Sequence, residues 1–386
     1  MNIIDYLSWR GDLSFKASPF NEIDNLVICH MAYSDIDKYF KDKDSYTIKE
    51  LSDLFFKDHT YEDIKKSKSF VARAPYVLEA MANSIRFKDA KIHDFVSLID
   101  EDSAEQFCCF TLDLSDKTSF IAFRGTDDTL IGWHEDFCLS YKIIPAQIAA
   151  KRYLIKHLKG NKKYRIGGHS KGGNLAVYGS LGVYKRNKNI IKIYSNDGPG
   201  LNLKLLNEEE NKAYEILKDK IIKIIPEFDF FGALFSGDKN TLVIKSNAFA
   251  LMQHDALTWQ VEGIKFINGE LSEESKMIKK AFNDFLNGVS NKECKEFCDE
   301  LFLALDKADI KNMSDFISGG IPVLIKTISK LNDMNEDDKK FGAKLITSLM
   351  KGFGMGVGQK TKNAKDNLAN VMSNKEKELL EFLNKE

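Results

Sequence analysis

The stretch Gly168-His169-Ser170-Lys171-Gly172 sets a serine between two glycines, after the strand-like run Lys163-Tyr164-Arg165-Ile166 and before a helix-like pattern over 174–184. Gly-x-Ser-x-Gly in a strand–turn–helix setting is a nucleophile elbow. A serine hydroxyl attacks poorly until it is presented on a strained turn beside a base. Residues two before and two after the serine must pass close to each other and to neighbouring strands, so Gly168 and Gly172 are needed for their lack of a side chain. Ser170 then meets a helix N-terminus, whose N–H groups and dipole favour an oxyanion.

A serine of this kind needs a histidine base and a carboxylate, in the chain order Ser, Asp or Glu, His. Of the seven histidines only His254 follows Ser170, a short loop after the last strand-like segment. His169, inside the elbow, reads as a packing or hydrogen-bonding residue. Two carboxylates compete to orient the base. Asp197, in Asn196-Asp197-Gly198-Pro199-Gly200, ends the strand after the elbow helix, and Asp229 ends the next. Both ends open onto one crevice. Taken blandly, Asp197 is turn chemistry and Asp229 a solvated loop carboxylate. The oxyanion donors are expected from the Lys171 N–H and from Arg124-Gly125-Thr126-Asp127, with Thr126 or Asp127 supplying the second group.

The elements that would position these residues follow from periodicity. Strand-type runs fall at 95–99, 105–114, 118–123, 164–167, 190–195, 221–225 and 241–245, and helical patterns at 72–82, 147–158 and 206–217. The run 26–31 reads as an apolar segment fed by a turn at Ser18-Pro19. Alternation of strands with helices predicts an α/β fold, a mostly parallel sheet covered by helices on both faces. From about Ser272 the pattern becomes helical throughout, with Phe282, Phe285, Phe297, Leu301 and Phe302 at helical spacing and further apolar stretches at 316–331 and 341–350. Residues 351–358 are Gly-rich and 361–386 rich in Lys and Glu. This divides the chain into 1–271 and an all-helical extension, 272–386, that packs as a small bundle, covers the crevice as a lid or meets a membrane or partner.

Composition narrows the function classes. The chain has 386 residues, 56 basic against 57 acidic, a net charge of −1, which gives no support to nucleic-acid binding. The N-terminus lacks a basic region followed by an apolar one, and no apolar run reaches a membrane span, so a cytoplasmic protein, peripheral to a membrane at most, is expected. Six scattered cysteines, including Cys294 and Cys298 one turn apart without a histidine, read as buried thiols rather than a metal site. Neither metal nor organic cofactor is required by the serine chemistry.

Phe123-Arg124-Gly125-Thr126, with Trp133 and Asp136 downstream and then Gly168–Gly173, resembles the class 3 lipase group of α/β-hydrolases. More closely, the chain is similar to the bacterial Mbeg-like family, long catalogued as a domain of unknown function. The stretches that carry this are Asp5-Tyr6-Leu7-Ser8-Trp9-Arg10-Gly11-Asp12, Pro19-Phe20-Asn21-Glu22-Ile23-Asp24, His169-Ser170-Lys171-Gly172-Gly173-Asn174, Asp197-Gly198-Pro199-Gly200 and Gln253-His254-Asp255. The resemblance covers roughly residues 1–265 and leaves the helical extension outside it. It implies an α/β-hydrolase fold and cleavage of a small-molecule or lipid acyl ester. Asp-Gly-Pro-Gly is a hallmark of the family, whose usual residue at the position of Asp229 is serine, which favours Asp197. General lipase topology favours Asp229. The competing reading is a catalytically silent binding or scaffold protein acting through its helical tail.

Overall fold

Five residues in a row, Ser119–Phe123, four of them apolar, are all buried, as a strand covered on both faces requires. This strand sits inside an eight-stranded sheet. The computed structural model describes residues 1–310 and 312, apart from 42, 67–70, 101–104, 127–129, 231, 233–234 and 236–239. Asp127 and the stretches at 316–331, 341–350, 351–358 and 361–386 therefore lie outside the described residues.

The strands are β1 (Ser45–Thr47), β2 (Lys91–Asp100), β3 (Glu105–Asp113), β4 (Ser119–Phe123), β5 (Tyr164–His169), β6 (Ile190–Asn196), β7 (Ile221–Pro226) and β8 (Thr241–Ile244), adjacent in chain order. Strands β4 to β8 run parallel, and β1 to β4 pair antiparallel as a meander on one side. The reason is local. A short reversal joins β3 to β4, whereas each parallel step inserts a crossover segment. A two-stranded hairpin, β9 (Val261–Glu262) and β10 (Lys265–Phe266), follows.

Helices α1 (Ile3–Arg10), α2 (Glu22–Met31), α3 (Ile48–Asp58), α4 (Tyr61–Lys66) and α5 (Ala74–Ala82) precede β2. Later come α6 (Leu130–Cys138), α7 (Pro145–His157), α8 (Lys171–Leu181), α9 (Glu208–Leu217), α10 (Glu273–Gly288) and α11 (Asn291–Lys307). The apolar residues fall into two clusters. One joins α1–α3 and α5 to Phe110, Phe120 and Tyr194 of the sheet, and the other joins α6–α9 and α11 to Ile121, Phe123 and Ile166. Adjacent β4 residues thus face opposite clusters, so helices cover both faces. This is an α/β-hydrolase fold with a helical C-terminal part.

The segment 26–31, expected as an apolar run after a turn, is the second half of helix α2, which starts at a capping box between Asn21 and Asp24. This helix is buried on all sides from Ile23 to Met31, so it has no polar face for periodicity to reveal. Past residue 272, α11 joins the same cluster as the sheet. Phe302 packs edge-on against Phe137 of α6 at 5.3 Å, and Ser140 contacts Cys294 at 3.2 Å. All six cysteines are buried and none is in a disulfide. Among the described residues no helix is long and apolar enough to cross a membrane.

Candidate active site

Strand β5 runs into Ser170 and helix α8 starts at Lys171, so the serine sits on the expected turn. Its φ is +57°, in the left-handed region that a residue with a side chain adopts only when the surroundings impose it. Those surroundings are backbone. A Cβ on Gly168 would lie 2.2 Å from the carbonyl carbon of Gly172, and one on Gly172 would lie 2.1 Å from the carbonyl oxygen of Phe123. Larger residues would push strand, turn and helix apart. The Ser170 N–H donates to the Asn196 carbonyl at 2.9 Å, tying the turn to the end of β6.

Asp197 is the next residue along that end. It also has a positive φ, +49°, and its N–H donates to Ile224 of β7 at 2.7 Å. Gly198 beside it packs so closely that a Cβ there would lie 2.6 Å from the Ser170 carbonyl oxygen. His254 ends a 3-10 turn, Ala250–His254, and its Nδ1 lies 2.6 Å from Asp197 Oδ2. Asp197 accepts and Nδ1–H donates, which leaves the proton-free position of the ring at Nε2. The fold therefore brings Asp197 into hydrogen-bond contact with His254 Nδ1. Burial pushes the Asp197 carboxyl up to about 6, and pushes His254 down to about 4 while the charges of Asp229 and Asp255 act the other way. At neutral pH the pair is a carboxylate facing a neutral imidazole.

Asp229 is not the solvated loop carboxylate that a loop position suggests. It is 1% exposed, because the chain after β7 turns inward and its N–H donates to the Ser275 hydroxyl of α10 at 2.9 Å. His169 does take the packing role. Its Nε2–H donates to the His254 carbonyl at 2.9 Å, and the Tyr33 hydroxyl lies 3.1 Å from both its Nδ1 and its carbonyl oxygen. The two rings lie 4.6 Å apart, so His169 fixes the backbone of the neighbouring His254. Burial keeps His169 well below its ordinary value and hence neutral.

On the expected oxyanion side, Thr126 follows β4 and its hydroxyl donates to Asp136 Oδ1 of α6 at 3.0 Å. Lys171 opens α8 with its backbone, while its buried ammonium pairs with Glu135 and donates to the Gln106 carbonyl at 3.2 Å. That pair anchors α6 to the elbow. Asp127 lies outside the described residues. No group of three or more His, Cys, Asp or Glu able to hold a metal occurs among the described residues.

Several residues behind the site were given no role by the sequence. Asn25 of α2 donates to Asn196 at 2.8 Å, and Asn196 donates to the Gly168 carbonyl at 3.0 Å, bracing the elbow from beneath. Gln253 accepts from the Phe228 N–H at 2.9 Å and its carbonyl from Trp259 at 2.7 Å, holding the loop of His254 against that of Asp229. Exposed Arg73 pairs with buried Asp255. Lys223, one cation in the apolar run Ile221-Ile222-Lys223-Ile224-Ile225, carried a signal. A charge at the centre of a buried strand must have partners.

Comparison with known proteins adds the following. The Mbeg1-like family model matches residues 81–303, through α10 and most of α11 and so past the limit near 265 drawn from motifs. Among solved structures, the M37 lipase is 15% identical over 69% of this chain and 79% of its own, with a TM-score of 0.34. The lipase from Rhizopus microsporus var. chinensis is 13% identical over 57% of this chain and 84% of its own, with a TM-score of 0.33. Lipase II from Rhizopus niveus is 15% identical over 39% and 64%, with a TM-score of 0.28. No curated protein matches the chain.

Proposed function

We infer that this chain, which belongs to the Mbeg1-like family, is a serine hydrolase that cleaves carboxylic esters of small acyl or lipid substrates. The observation that carries the reading is the 2.6 Å contact between His254 Nδ1 and buried Asp197, next to a serine held on a strained elbow.

In this reading Ser170 Oγ attacks the ester carbonyl and its proton passes to His254 Nε2. The tetrahedral oxyanion is held by the Lys171 N–H at the start of α8 and by a donor from the Thr126–Asp127 loop. Collapse expels the alcohol, protonated by His254, and leaves an acyl-Ser170. Water then attacks, giving its proton to His254, and the acid leaves as Ser170 is reprotonated. Asp197 stays ionised throughout and steadies the imidazolium formed in each half.

Helix α11 acts in this reading as a packing element, which the contacts of Phe302 with Phe137 of α6 and of Cys294 with Ser140 just after it support. Liposome flotation of the full chain against one ending near Leu271 tests a membrane role for the extension, and equal flotation removes it. For the chemistry, a fluorophosphonate probe should label Ser170 in the wild type and not in Ser170→Ala. Absence of labelling, or a Ser170→Ala variant that hydrolyses short acyl esters as fast as the wild type, sinks the reading.

A further inference from the structure

Parallel neighbours β6 and β7 each end in a buried aspartate, Asp197 directly after β6 and Asp229 shortly after β7. Both backbones are pinned, the one to Ile224 and the other to Ser275. Their carboxyls are in hydrogen-bond contact, and the Gly232 N–H faces both. Gly232 itself leaves no slack, since a Cβ there would lie 2.8 Å from each oxygen of Asp229. Asp197 Oδ2 is occupied by His254, yet Oδ1 of Asp197 and Oδ1 of Asp229 have no N–H or O–H donor in the structure.

Two ionised carboxylates cannot share a dry site, and buried carboxylate oxygens without donors are strongly unfavourable. One proton between the two removes both problems. Charge points the same way. The groups facing the pair are Lys223 from β7, whose Nζ donates to the Gly232 carbonyl at 2.5 Å, His254 from the 3-10 turn and the neutral Ser275 hydroxyl from α10. One lysine and a neutral histidine balance one carboxylate. Asp229 is the acid held further from solution behaviour, raised well above the usual range by burial and then by the charge of Asp197.

We propose that Asp229 is a positioning residue, which keeps the single proton of the Asp197–Asp229 pair and donates it to Asp197, so that Asp197 meets His254 as a locked anionic acceptor. This rests on the catalytic reading of Ser170, His254 and Asp197. The acid position is then shared by two strand ends, one supplying the charge and the other the hydrogen bond that orients it.

The test compares the full-length wild type with Asp229→Asn, Asp229→Ala and Asp197→Asn at the same pH. Infrared difference spectra should show the carbonyl stretch of a protonated carboxylic acid at neutral pH in the wild type, absent from Asp229→Asn. Ser170 labelling by a fluorophosphonate should stay within about threefold of wild type in Asp229→Asn, whose amide still donates. It should fall roughly 100-fold in Asp229→Ala, where Asp197 is free to swing. The acid limb of the labelling rate should not move in Asp229→Asn, because no charge has been removed. A missing wild-type band, or one that persists in Asp229→Asn, overturns the proposal. So does an acid limb that drops by a pH unit or more, or an Asp229→Asn loss as large as that of Asp197→Asn. If Asp229→Ala does not fold, the spectra and Asp229→Asn still decide. Failure of wild-type Ser170 to label would instead bring down the catalytic reading and leave the infrared result standing.

Discussion

Two buried aspartates in this fold are treated in opposite ways. Asp24 of α2 accepts from Tyr6 at 2.9 Å, from Arg86 Nε at 2.7 Å and Nη2, and from the Asn21 N–H at 2.9 Å. Arg86 uses its remaining N–H groups on the carbonyls of Leu13, Ser18 and Pro19. Every polar atom of that cluster is satisfied, and its charges cancel in a bidentate pair. Asp197 is as deeply buried but faces a neutral imidazole, keeps an oxygen without an N–H donor and sits on a left-handed backbone. A finished cluster holds the chain in place, whereas an unfinished one, in the proposed reaction, meets the charge that forms on His254. The stretch Pro19–Asp24, one of the motifs behind the family resemblance, belongs to the first kind, and it builds a cap and an ion pair under the sheet.

The contrast can be broken most sharply at Ser170. Ser170→Ala should lower kcat/KM for a short acyl ester by at least about 10⁴-fold while leaving the melting temperature unchanged or higher, since a strained turn residue adds nothing to stability. A melting temperature several degrees lower would make Ser170 structural. Arg86→Met should do the reverse. Removing one partner of a buried pair costs about 3–5 kcal/mol, read by urea unfolding, while fluorophosphonate labelling of the remaining folded protein keeps its wild-type rate. Thr126→Val keeps the backbone N–H but cuts the bond that ties its loop to Asp136, and is expected to reduce kcat roughly tenfold, about 1.4 kcal/mol, with KM little changed. A loss confined to stability would reduce the Thr126–Asp136 contact to packing.

The smallest effects concern pH. Protonating Asp197 removes the anion that faces His254, so kcat/KM should fall as pH drops through about 6. Stability runs the other way. Both folded carboxyls lie above their ordinary value of 3.8, so the folded state holds protons that the unfolded chain releases. Their contribution is complete below that value and is lost as pH rises through the folded values. Asp229→Asn abolishes its share, and the melting temperature of the variant should therefore gain on the wild type between pH 4 and pH 8. A constant gap would place Asp229 at ordinary acidity.

The elbow was legible because its constraints are local: a strand, a tight turn at Ser170 and a helix, with two positions where a Cβ would strike backbone 2.1–2.2 Å away. The parallel strands were legible for the same reason, as short apolar runs between polar turns. Helix α2 was not, since burial on all sides erases its period, and neither were the roles of Asn25, Gln253 and Arg73, whose partners are distant in the chain. By itself the sequence determined where the elbow lies and that His254 is the one histidine after it. Only the tertiary structure decided which aspartate contacts His254 Nδ1, because that contact depends on how the loop after β7 folds inward and on the register that sets Asn196 beside Ile224. Residues 57 apart meet at 2.6 Å through the sheet, and no local spacing encodes that distance.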